Sequence, residues 1–191
     1  MKQQAETNVT EKTQRAYARL AGFLYIGVLV FAFGGGFLAS QVAGTGTLAE
    51  TSLRIASSEW LYRGALSLVV IATLGSAVLS FALYATLRPV DGLLAQLGMI
   101  FCLSDAVLGL VVRMTAFVRM QIYTSVDNSA NVAQALLDLM RNVGGTTENI
   151  GGIAFGVGSL LFFYLFLKSR YIPRPFSALG FAASVIWTAT P

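Results

Sequence analysis

Two long blocks of the chain, residues 20–49 and 64–87, contain no Asp, Glu, Lys or Arg, and a third apolar block between residues 93 and 118 carries only Asp105 and Arg113. A hydrocarbon core of about 30 Å takes about 20 helical residues at about 1.5 Å each, so runs of this length and character are transmembrane candidates. The pattern predicts spans over residues 20–42, 61–87, 93–118, 150–167 and 176–191. The first is too long for a cleavable signal peptide, whose apolar region runs to about 7–15 residues, and more spans follow it, so it is expected to stay as a helix. Span two stops at Arg88 and Pro89, where proline removes a donor and pushes its predecessor away from helix. Only residues 89–92 separate it from span three, so the two must be antiparallel neighbours.

The polar segments fall between these runs. Residues 1–18 are expected to be a loose polar tail that turns helical near Thr13. The "GTGT" stretch at residues 44–47 reads as a loop leading into a mildly amphipathic segment. Between spans three and four, Val132, Ala135, Leu136, Leu139, Met140 and Val143 recur at helical spacing, which predicts a separate amphipathic helix over residues 130–142 lying at the interface or over the bundle mouth. The last run has 16 residues, about 24 Å of helix and short of the core thickness: a marginal fifth span, or a chain that continues. The expected fold class is all-α, a polytopic transmembrane helix bundle of about five spans forming one domain over residues 19–191.

Composition sharpens this. Of 191 residues, 55% are hydrophobic and only 12% charged, with a mean hydropathy of +0.69, about half the charge density of an ordinary soluble domain. A net charge of +4 raises the question of nucleic acid, but the basic residues sit at the ends of apolar runs and form no patch, so no nucleic-acid partner is expected. There is no histidine and one cysteine, Cys102, which reads as a small core residue. Disulfides, histidine-ligated haem and the usual zinc sites thus find no ligands, and no cofactor or metal is expected.

Basic residues also orient the chain. Lys2, Lys12, Arg15, Arg19, Arg88, Lys168, Arg170 and Arg174 fall on one side of the threading, against Arg54, Arg63, Arg119 and Arg141 on the other. The positive-inside rule then puts the N-terminus in the cytoplasm and the amphipathic segment outside, in a cell membrane.

The expensive residues are those inside the bilayer. Asp105 lies 12 residues beyond Leu93, about 18 Å along the helix and close to the midplane. Facing lipid it would cost at least about 3 kcal/mol, so it must face helices or water. Arg113 follows about 12 Å further and about 80° around, leaning back toward Asp105. Gly109 between them leaves room. Glu59 and Arg63 stand i,i+4 at the outer end of span two, and Glu148 at the outer entrance of span four. Asp105, Arg113, Glu59, Arg63 and Glu148 therefore form a candidate outward-facing polar pocket. Two readings compete: a buried pair conferring register, or a binding or proton-carrying site.

Other signals are bland. Gly152 and Gly156 with Gly151 and Gly158, the stripe Ala72, Ser76 and Ser80, and the pair Gly180 and Ser184 mark tight helix packing. Trp60, Tyr62, Tyr84, Tyr123, Tyr164, Tyr171 and Trp187 sit mostly at span ends as interface anchors. No phosphate-binding loop, dinucleotide fingerprint, nucleophile elbow or zinc-protease motif is present, so no catalytic residue is assigned, and an intramembrane enzyme would have to work with carboxylates alone.

Four stretches point to a family. "RLAGFLYI" at residues 19–26, "SEWLYRGAL" at 58–66, "LYATLRPV" at 83–90 and "FGVGSLLFFYLFLKSRYIPRPFSALG" at 155–180 resemble the prokaryotic multi-pass membrane family of domain of unknown function 4386. The resemblance implies a six-span pattern, from which this chain departs by ending in or just after its fifth. It carries no established activity. The family-like positions Arg19, Gly22, Tyr25, Arg63, Lys168, Ser169, Pro173, Arg174 and Gly180 mostly stand at span boundaries, where a topogenic role suffices.

Two functions follow as expectations. The first is a bacterial inner-membrane protein that binds or passes a small solute or proton through the pocket. The second is a non-catalytic scaffold or accessory subunit that packs against partner helices or another copy of itself. The bilayer is the partner common to both.

Overall fold

A computed structural model describes residues 2–124 and 130–189, with side chains over residues 16–124 and 131–189. It is built of helices: α1 (Lys2–Ala43), α2 (Leu48–Ser57), α3 (Glu59–Leu87), α4 (Gly92–Thr124), α5 (Ala130–Ser169) and α6 (Arg174–Ala189). Among the described residues, four helical stretches are long and apolar enough to cross a membrane: Ala16–Ala43, Glu59–Leu87, Gly92–Thr124 and Asn131–Ser169. The protein is a multi-pass membrane protein of all-α class. At 16 residues, α6 falls short of that length, as the sequence run did.

Two boundaries differ from expectation. The tail is helical from Lys2 and continuous with span one, so it is not loose up to Thr13. The amphipathic segment is also no separate helix, because α5 runs unbroken from Ala130 through Gly144 and Gly145 into span four. Each glycine costs a helix only about 1 kcal/mol relative to alanine, and Gly144 is buried where a Cβ would stand 2.9 Å from Thr115 Oγ1 of α4. The expected apolar stripe is not the buried face: Val132, Leu136, Leu139 and Val143 are exposed, and the buried residue of the segment is Leu137, which lies outside that stripe.

Packing groups the helices into two units. The first holds residues up to Gly27, Gly75–Ala106 and those from Gly151 onward; the second holds Val28–Leu74 and Val107–Ile150. In the first, Leu87 of α3 packs with Ala95 and Cys102 of α4 and with Phe162 and Leu165 of α5. Cys102 is a buried free thiol, and a Cβ on Gly158 would meet Gly98 O at 2.9 Å and Cys102 N at 3.0 Å, so α4 and α5 touch through backbone. Helix α6 lies antiparallel on α5, with Gly180 beneath Phe163, Thr188 over Gly156 and Trp187 over Gly152. In the second unit, Tyr62 and Leu66 of α3 pack with Ala116 and Met120 of α4, and Ile55 of α2 closes the cluster. Of the glycine triplet, only Gly35 makes a close approach: a Cβ there would stand 2.7 Å from Ala65 O of α3, whereas Gly34 and Gly36 meet nothing within 4 Å.

The α3–α4 turn is held by Asp91. Its Oδ1 accepts from Leu94 N at 3.2 Å, the N-cap geometry for a helix starting at Gly92, and its Oδ2 lies 3.5 Å from Lys168 Nζ of α5. An Asp91→Ala variant is expected to lose about 1 kcal/mol, most of it the cap, since an ion pair this exposed contributes little. Chemical unfolding in detergent micelles checks this, with Lys168→Met expected to cost under about 0.5 kcal/mol.

Candidate functional site

Helix α4 carries two ionisable side chains within its apolar run, and the structure places them in different units. Asp105 is half-buried in the first unit. Arg113 is in the second, on the flank of α4 where α5 passes. There a guanidinium nitrogen of Arg113 lies 3.7 Å from Glu148 Oε1, with the arginine side chain 27% exposed and the glutamate 65%. At that separation the charges attract without a hydrogen bond. Arg113 Nε is buried and has no acceptor. A donor left in that state costs about 1–3 kcal/mol.

Glu59 and Arg63 form their expected i,i+4 pair at the start of α3, at 2.8 Å, with both side chains well exposed. Among the described residues no ion pair within 4 Å joins them to Arg113 or Glu148. The structure thus unites Arg113 with Glu148 and Glu59 with Arg63, as two pairs. The room expected at Gly109 is taken: Thr73 Cγ2 of α3 lies 3.1 Å from where its Cβ would stand. Arg141 of α5 is bound to Asp138 at 3.1 Å. Among the described residues, no three His, Cys, Asp or Glu side chains come together as metal ligands would.

A family model described as a domain of unknown function, DUF4386, matches residues 20–190. The chain belongs to the DUF4386 family. Among curated proteins and among solved structures nothing matches it. In this DUF4386 chain the family-like positions have visible structural work: Lys168 pairs with Asp91, Gly180 lies beneath Phe163, and Ser169 Oγ accepts from Tyr171 N at 3.4 Å.

Several participants escaped the sequence reading. Asp91 carried a signal, an aspartate one residue ahead of an apolar helical run, which is an N-cap pattern. The Gly144–Thr115 and Gly44–Arg54 contacts carried none, because each joins residues of separate helices or turns that only the tertiary fold brings together.

Proposed function

We propose that this is a small bacterial inner-membrane protein, N-terminus cytoplasmic, that binds or passes a small solute or a proton through an outward-facing polar pocket. Arg113 supports this most: a guanidinium within a membrane-spanning helix whose Nε has no acceptor, beside a carboxylate held loosely at 3.7 Å. An oxygen of a small carboxylate or phosphate supplies the missing acceptor. Glu59 and Arg63 add a second charged pair in the same unit as Arg113, and Asp105, in the other unit, is a separate candidate for carrying a proton. The excess of basic residues on the N-terminal side supports the orientation.

The test is a thermal melt of purified protein with acetate, succinate or inorganic phosphate. At about one hundred times its dissociation constant, a true ligand stabilises by about 2.7 kcal/mol. That shift is expected for at least one of the three and is expected to vanish in Arg113→Gln. No shift with any of them, or an undiminished shift in the variant, rejects solute binding. Proton entry into dye-loaded proteoliposomes, if carried by this route, is lost in Asp105→Asn.

A second reading, a scaffold packing against partner helices or another copy, is favoured by α1. Its apolar window is 11% buried, against 33% for that of α5, and nothing lies within 4 Å of a Cβ built on Gly22, Gly34 or Gly36.

A further inference from the structure

At the junction of α1, α2 and α3 an open cleft of about 360 Å³ has no place in the pocket described above and does not depend on it. Its walls are zoned. Leu38 and Val42 from the last turns of α1 and Leu61 from the first turn of α3 supply an apolar side, while Gln41, Arg54 and the serine pair Ser57 and Ser58 supply a polar one. The apolar residues belong to ends of membrane-spanning helices, and of the polar ones Arg54 and Ser57 belong to the linker helix α2, Ser58 caps it and Gln41 is in the last turn of α1, the mixture expected where acyl chains give way to headgroups.

Arg54 is the cation of this site, and it is held in place without being neutralised. Its Nη1 donates to Thr45 O at 3.3 Å, leaving the other four N–H donors of the guanidinium. Among the described residues no carboxylate lies within 4 Å of it. The two nearest in sequence are engaged elsewhere: Glu50 accepts from Thr47 N at 3.1 Å in a capping box that starts α2, and Glu59 holds Arg63. Gly44 fixes the seat of Arg54. It has φ +61°, a conformation that L side chains avoid, and a Cβ there would collide with the Arg54 guanidinium. Leu53 and Trp60, on either side in sequence, are 71% and 78% exposed, the behaviour of side chains set into an interfacial layer.

We infer that this cleft binds the phosphodiester headgroup of an anionic phospholipid, with the phosphate on Arg54, the hydroxyls and amide of Ser57, Ser58 and Gln41 on the polar headgroup, and the upper acyl chain along Leu38, Val42 and Leu61. Charge complementarity selects an anion, and the apolar wall selects one attached to a chain.

Native mass spectrometry of the full chain from detergent, titrated with phosphatidylglycerol or with phosphatidylcholine of the same acyl chains, tests it. The wild type is expected to prefer phosphatidylglycerol. Arg54→Gln weakens that binding about fivefold, the worth of one basic residue at an anionic lipid surface, and leaves phosphatidylcholine unchanged. Leu38→Trp, which fills the apolar wall and keeps the charge, weakens both lipids, while Arg141→Gln, on the remote Asp138 pair, weakens neither. Equal phosphatidylglycerol binding by wild type and Arg54→Gln overturns the inference. Complete displacement of lipid by glycerol phosphate also overturns it, since the occupant would then be a soluble anion.

Discussion

A Gly158→Leu substitution is expected to destabilise the bundle by about 3 kcal/mol, the upper range for overpacking a filled interior. The cost follows from what the new side chain meets. A Cβ at Gly158 would stand 2.9 Å from Gly98 O and 3.0 Å from Cys102 N, both backbone atoms of α4, with Cys102 Sγ closer still at 2.6 Å. Backbone cannot rotate aside, so α4 and α5 must separate and forfeit the contacts among Cys102, Phe162 and Leu165. Gly98 faces the same seam, but a Cβ there meets the Phe162 ring at 3.2 and 3.3 Å, and a ring can shift by a few tenths of an ångström. Gly98→Ala should therefore cost about 1 kcal/mol, and Gly64→Leu, with nothing within 4 Å, close to nothing. Unfolding of the three variants in micelles, followed by circular dichroism, ranks them. A Gly158→Leu protein as stable as the Gly64→Leu control would mean that the two helices do not approach as described.

The second large effect has the opposite sign. Arg113→Met is expected to stabilise the protein by about 1 kcal/mol while abolishing anion-dependent stabilisation. Methionine keeps the length of the arginine stem, removes a buried donor that has no acceptor, and leaves Glu148, already 65% exposed, to water. A bridge kept for architecture would behave in reverse, since losing one partner of a well-made buried pair costs about 3–5 kcal/mol. The same unfolding measurement decides between the two. A loss of stability in Arg113→Met would assign Arg113 to packing, and the pocket would lose its central residue.

Much of the fold was legible because lipid punishes unmade backbone hydrogen bonds so heavily that apolar run length nearly determines helix length. The expected spans at 61–87 and 93–118 appear as Glu59–Leu87 and Gly92–Thr124, and the turn chemistry of Arg88 and Pro89 marks their junction. The same physics explains the misplaced break at Gly144 and Gly145. Glycine is tolerated in a helix where a neighbour fits closely against it, as Thr115 of α4 does at Gly144, while Gly145 meets nothing within 4 Å. At the site, the Glu59–Arg63 pair was legible from i,i+4 spacing alone. Its counterpart was not: Arg113 and Glu148 are 35 positions apart, and only the packing of α5 on α4 brings them within reach. Burial of the Nε edge has no sequence signature at all.

The brevity of the link between α3 and α4 governs how the chain is made as well as how it rests. A few residues around Arg88 and Pro89 cannot span the bilayer, so once α3 has emerged from the ribosome its successor must turn straight back beside it. The two enter the membrane as one hairpin, and α4 partitions from the translocon with a ready-made apolar companion for the face that carries Cys102 and Ala116. In the proposed orientation, Arg88 at the bend is a charge that the positive-inside rule keeps on the cytoplasmic side.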